Sequence, residues 1–404
     1  MDGKLDGVET PQPMSSLQSW GLRSSAVGAI AIGPAVTDTK HRGGSYSLKA
    51  LYAKAALIVL LVVLTSVLGG CVATPSTPSW SSLLVVKGIL YTGSQAGRVY
   101  ALNAASGTEI WRYPPSEKGG VGALYAAPVL LGDTLYIGSS DNHLYALDAN
   151  TGSQRWVFTS SGHIFADAVI ADGVLYFGSG DHKVYALDAS TGLKKWEFAT
   201  ADGIWSQPCV VGDRVYVASL DHRLYCLDAD SGRKQWEFKA GGAFAGSPAV
   251  AGDLVYCGAF DNKVYALDAK DGHVHWEFKT GHWVWASPLV VDDTVYVGSL
   301  DKKLYALDAV AGTKRWDFQA QGMIRATPAL ANGLLYVGTE VGSLHVLDAV
   351  NGQQKWVFNT NGAVLSSPVV AEGIVYVTVL GDTIYALDAE TGVQRWSVAP
   401  SKRK

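Results

Sequence analysis

Eight tryptophans recur along the chain at near-constant intervals: Trp111, Trp156, Trp196, Trp236, Trp276, Trp316, Trp356 and Trp396. The first interval is 45 residues and the other six are 40 each. A period in this range marks a repeat architecture, in which each unit buries its faces against its neighbours. Residues that recur are therefore expected to hold the units together. Residues that break the pattern are the ones to read for function.

Each tryptophan closes the same phrase, as in Tyr185-Ala-Leu-Asp-Ala-Ser-Thr-Gly-Leu-Lys-Lys-Trp196. Two copies are blurred: Asn103 replaces the aspartate before Trp111, and His345 replaces the tyrosine before Trp356. A Pro-Val-Val-like run, a Gly/Asp turn and a Val-Tyr-Val-Gly-Ser-like run precede each phrase. Runs of four to six β-branched, leucine and aromatic residues separated by such turns are strand signals. Residues 292–293, 301–302 and 311–312 punctuate one unit with Asp-Asp, Asp-Lys and Ala-Gly. Four short strands per 40 residues is the design of a propeller blade. The predicted fold is all-β, an eight-bladed β-propeller of four-stranded antiparallel blades over residues 80–398.

An indole offers a large apolar surface and one N–H donor. Repeated once per blade, it suits a wedge between neighbours, its N–H bonded to a backbone carbonyl. The glycine of each Thr-Gly or Ser-Gly pair is expected at positive φ, with the preceding aspartate bonding nearby amides. Small residues at Gly138, Gly178, Ala218, Gly258 and Gly298 predict close backbone approach.

The phrase Ala-x-Asp-Ala-x-Thr-Gly-x-x-x-Trp, with Ser-Pro-Val-Val before the next strand pair, resembles the tryptophan-docking repeat of the pyrroloquinoline-quinone (PQQ)-type propellers. That superfamily holds quinoprotein alcohol dehydrogenases and the BamB lipoproteins of outer-membrane assembly. The resemblance spans about four-fifths of the chain. It is specific for fold and silent on function, because the repeat is structural in every member.

The N-terminus carries a second signal. Residues 55–68 are almost wholly apolar and run into Leu68-Gly69-Gly70-Cys71, with Lys40, Arg42, Lys49 and Lys54 upstream. A positive region, an apolar core and small residues before a cut describe a secretory signal. Its end resembles a bacterial lipobox, which implies Cys71 as the lipidated first residue and residues 72–79 as a tether. The alternative is an uncut anchor, since the apolar stretch 55–73 is near the ~20 residues a membrane span needs. Both readings place the propeller outside the cytoplasmic membrane. Residues 1–54 read as an unfolded extension, long for a signal; a true start nearer Lys49 or Leu51 would account for them. Residues 399–404 form a short basic tail.

Net charge is −4 without a basic stripe, which argues against nucleic-acid binding. Beyond Cys71 the cysteines are Cys209, Cys226 and Cys257, read as small buried hydrophobes; a Cys209–Cys226 disulfide stays open. No zinc or covalent-haem spacing occurs. Asp148, Asp188, Asp228, Asp268, Asp308, Asp348 and Asp388 occupy one repeated position and read as a turn device. Asp167, Asp202 and Glu340 depart from the repeat but stand in different units. His143, His163, His182, His222, His273, His275 and His282 are spread over turns and read as surface residues. The resemblance to quinoprotein dehydrogenases would imply a calcium-binding carboxylate set and, in many members, adjacent cysteines, neither of which the sequence supplies. No cofactor or metal site is expected, with PQQ and calcium as the alternative.

The pattern breaks most visibly three residues before the recurrent proline. That position holds Trp80, Tyr125, Phe165, Trp205, Ala245, Trp285, Arg325 and Leu365, with Phe244 and Trp283 close by. Because the first strand of a blade lines the central channel, these residues are expected at one channel mouth, as an aromatic collar with one arginine. Such a patch marks a partner or ligand surface; packing into inter-blade gaps is the alternative. The insertion at residues 114–121 is expected to enlarge the collar beside Tyr125.

The combined expectation is a monomeric, lipid-anchored, extracytoplasmic scaffold without catalytic residues, binding a protein partner at the collar. Similarity to BamB implies the barrel-assembly machinery of an outer membrane. A cell-surface ligand sensor and a PQQ-dependent dehydrogenase are the alternatives.

Overall fold

The computed structural model describes residues 82–116 and 120–400. It contains eight four-stranded antiparallel sheets, each with its strands in sequence order. Blades 1 to 8 span residues 83–113, 129–159, 169–199, 209–239, 249–279, 289–319, 329–359 and 369–398. The all-β eight-bladed propeller predicted from the tryptophan period is the observed fold. Among the described residues no helix is long and apolar enough to cross a membrane.

Blade 4 is representative, with strands Cys209–Val211, Arg214–Ala218, Arg223–Asp228 and Lys234–Lys239. First strands of neighbouring blades contact one another, so they surround the axis. The two middle strands are almost wholly buried, whereas the outer one alternates exposed charge with the indole. Lysine and glutamate on that edge discourage edge-to-edge pairing.

Each blade seals against the next through one tyrosine and one tryptophan. Tyr216 Oη and Trp236 Nε1 of blade 4 both donate to the carbonyl of Ala269 in blade 5, at 3.1 and 3.2 Å. The ring closes the same way. Tyr376 Oη and Trp396 Nε1 of blade 8 reach the Ala104 carbonyl of blade 1 at 3.1 and 3.0 Å. Among the described residues no strand is exchanged between blades 1 and 8; side chains join them, with Asp382 also accepting from the Gln95 N–H at 3.2 Å. The indole hydrogen bond is not universal: Trp156 and Trp356 keep the wedge position, but their buried N–H groups lack a partner among the described residues.

The repeated acids behave as turn devices. Asp148 Oδ1 accepts from the Asn150 and Thr151 amides at 3.0 and 2.9 Å. Arg155 and these donors favour its charged form and hold its carboxyl at about 2. Cys209, Cys226 and Cys257 are free thiols. Cys209 and Cys226 flank Tyr216 from the two sides, each pairing with it in register. Two strand spacings, about 9–10 Å, separate them, beyond disulfide reach.

Candidate functional site

The segment leading into each blade is extended, and its side chains alternate. In blade 4, Ile204, Ser206 and Pro208 are buried, while Trp205 and Gln207 face outward from that packing. Ile204 is held by a close approach. A Cβ on Gly178 of blade 3 would lie 2.2 Å from its Cγ2. The small residue foreseen at Gly178 therefore makes room for the isoleucine whose neighbour, Trp205, is turned to the axis.

Because the alternation recurs, two tiers of side chains line one cavity of about 340 Å³. All eight blades contribute to it, so it lies on the propeller axis. The first tier is Tyr125, Phe165, Trp205, Ala245, Trp285, Arg325 and Leu365. The structure thus brings together seven of the eight positions picked out by their irregularity. Trp80 and Cys71 lie outside the described residues. Trp283 is placed differently. It stacks on Phe260 at 4.8 Å and 10°, and Phe260 meets Trp285 at 5.1 Å. It therefore extends the aromatic surface outward without lining the cavity. Phe244 is fully buried in the core.

Aromatic contacts join the first tier. Tyr125 meets Phe165 edge-on at 5.0 Å, and Trp205 lies 6.1 Å from Trp285. The Arg325 guanidinium sits 4.7 Å over the Trp285 ring and is ion-paired with Glu340. Both charged side chains are mostly buried, at 16% and 22% exposure.

The second tier, two residues on, is Ser82, Asp167, Gln207, Ser247, Ser287, Thr327 and Ser367. Backbone-to-side-chain bonds run around it from blade to blade. The Gln207 N–H donates to Ser247 Oγ and the Ser247 N–H to Ser287 Oγ, each at 2.8 Å. The Ala127 N–H donates to Asp167 Oδ1 at 2.5 Å. Burial pushes the Asp167 carboxyl up to about 6, against the opposing pull of that one amide.

Of the three acids that depart from the repeat, Asp167 lines the cavity and Glu340 pairs with Arg325 beside it, whereas Asp202 stands at the surface, 3.9 Å from His182. The sequence signal for Asp167 was its place two residues after Phe165, on the same face of an extended segment. Glu340 had no such signal, since it comes from the neighbouring hairpin. Among the described residues of the insertion, none is brought to the collar. Arg98 of blade 1 binds the insertion's Pro114 and Ser116 carbonyls at 2.9 and 2.7 Å.

The donor set does not fit a quinone–calcium pair. Calcium takes six to eight oxygen ligands, several of them carboxylates as a rule. Among the described residues the axial lining supplies a single carboxylate, Asp167, and no cluster of three metal-ligating side chains occurs.

The raised carboxyl carries a prediction. A folded-state value above the unfolded one means the fold prefers the protonated acid, so the associated stability is complete below about pH 4 and is lost as pH rises through about 6. Asp167→Asn keeps the oxygen that accepts the Ala127 N–H and removes the charge. It should stabilise the protein by about 1–2 kcal/mol at pH 8 and leave it unchanged at pH 4. Denaturant melts at the two pH values check this; equal shifts at both would contradict it.

A propeller sealed blade to blade by recurring indoles, with an aromatic and hydroxyl-lined axial cavity, is of the PQQ-like repeat class. The PQQ_2 family profile, described as outer membrane protein assembly factor BamB, matches residues 76–162, 95–205, 158–256, 223–327 and 301–403. These matches run through the whole propeller, and the chain belongs to this family. Among solved structures it is similar to BamB from Moraxella catarrhalis, at 22% identity and a TM-score of 0.64, covering 74% of this chain and 90% of that one. It is also similar to the computationally designed Ika8 protein, at 16% identity and a TM-score of 0.67, covering 79% and 96%. At these identities the likeness is one of fold. No curated protein matches the chain.

Proposed function

We propose that this propeller is a lipid-anchored, extracytoplasmic scaffold that docks a protein partner at its aromatic mouth and serves the assembly of outer-membrane β-barrel proteins. The observation that carries the reading is the collar, in a chain whose family is described by an outer-membrane assembly factor. Tryptophan, tyrosine and arginine are the residue types that dominate binding energy at protein interfaces. Here Trp205, Trp285 and Arg325 come from blades 4, 6 and 7 onto one surface, continued outward by Phe260 and Trp283. In this reading Cys71 bears the lipid and residues 72–79 tether the propeller to the membrane.

Affinity capture on the full-length chain from membranes of its own host tests both parts. A barrel-assembly complex is expected in the eluate. Trp205→Ala and Arg325→Ala should each lower its recovery about tenfold or more, the cost of losing an interface anchor. Undiminished recovery with both variants would remove the partner from the collar. Mass spectrometry of the captured chain should begin at a lipidated Cys71; a peptide from residues 20–40 would refute the processing.

A further inference from the structure

The hydroxyl tier contains one charge that its structural role does not require. Ser247 and Ser287 each accept the amide of the preceding blade through a neutral oxygen, at 2.8 Å. Asp167 accepts the Ala127 amide in the same way. A serine would make that link, so the acid is surplus to it, and a half-buried carboxylate facing a cavity costs stability unless something cationic joins it. Among the described residues no cation forms an ion pair with Asp167. Arg325 stands four blades away in an eight-membered ring, hence on the opposite wall, and its charge is already met by Glu340. The paired charges cancel, and among the described residues the cavity is left with one uncompensated negative charge, that of Asp167.

What surrounds that charge is aromatic. Phe165 lies two residues earlier on the same segment, Tyr125 packs edge-on against Phe165, and Trp205 stands at the equivalent place on the next blade. Aromatic faces beside a carboxylate attract organic cations twice over, through the ring quadrupole and through the charge. A volume of about 340 Å³ suits a small molecule. We propose that the axial cavity binds a small organic ammonium compound, with its nitrogen on Asp167 and its carbon skeleton among Tyr125, Phe165 and Trp205. The anionic floor rejects carboxylates of the same shape. This site goes beyond the docking role and needs no protein partner, so failure of the capture experiment leaves it standing.

The test is calorimetric titration of the purified full-length chain with phenethylamine, alongside 2-phenylethanol and phenylacetate as neutral and anionic isosteres. Tryptophan fluorescence serves as a second readout. Phenethylamine should bind at one site with Kd of about 10 µM to 1 mM, the range its few heavy atoms allow. The alcohol should bind about tenfold more weakly, and phenylacetate should not bind. Asp167→Asn should weaken phenethylamine at least about tenfold while melting cooperatively, and Asp202→Asn, an exposed acid elsewhere, should leave Kd unchanged. Absence of phenethylamine binding to the wild-type chain would overturn the proposal. So would an affinity equal for amine and alcohol, or one unaltered in Asp167→Asn.

Discussion

Trp236→Ala should cost about 3–5 kcal/mol, the scale of truncating a buried aromatic where the surroundings cannot collapse. Trp236 is 9% exposed and belongs to the cluster that joins blades 4 and 5. Its ring lies 5.9 Å from Tyr216, and its N–H meets the carbonyl of Ala269. Alanine would leave a void between two blades that both depend on the contact. Tyr216 and Arg214 also donate to the Ala269 carbonyl, so that acceptor stays satisfied and the loss is mainly one of packing. Chemical denaturation should show the midpoint falling by the corresponding amount. An unchanged midpoint would mean that the indole is not what joins the blades.

Gly272→Ala is expected to be almost as damaging, at about 2–4 kcal/mol, from two separable causes. Gly272 has φ +77°, a conformation costing an L-residue about 1–2 kcal/mol. Its added Cβ would also stand 2.6 Å from Trp236 Cε3, inside contact distance of a ring that is itself hemmed in. The glycine of the turn thus serves the indole of the preceding blade as well as its own backbone. The two changes should therefore not add. In the Trp236→Ala background the steric part disappears and only the backbone part remains, giving a coupling of about 1–2 kcal/mol in a double-mutant cycle. Strict additivity would show that glycine and tryptophan do not meet.

These two residues explain why the fold was readable. A side chain that must wedge against the next copy, and a glycine that must yield to it, recur at the period of the blade itself. Repetition turned a tertiary contact into a pattern visible along one chain. The acids of the repeated turns were legible for the same reason, since each bonds amides two or three residues away. The collar was legible from the opposite signal. Trp205 and Trp285 stood out because their position varies while its neighbours recur.

The rest depended on contacts between distant segments. Asp167 and Arg325 lie 158 positions apart in number, and only closure of the ring sets them on opposite walls of one cavity. Glu340 reaches Arg325 from an adjacent hairpin, which makes the lone arginine of the collar an internally paired charge. Within the insertion, Arg98 holds the Pro114 and Ser116 carbonyls, a contact that no local pattern announced.

What the sequence by itself determined was the eight-fold ring and its seams, because those contacts recur between adjacent units at a constant separation. What only the tertiary structure decided was the electrostatic character of the axis. Whether a carboxylate there is paired or alone depends on which side chains face it across the ring, and no periodicity along the chain encodes that distance.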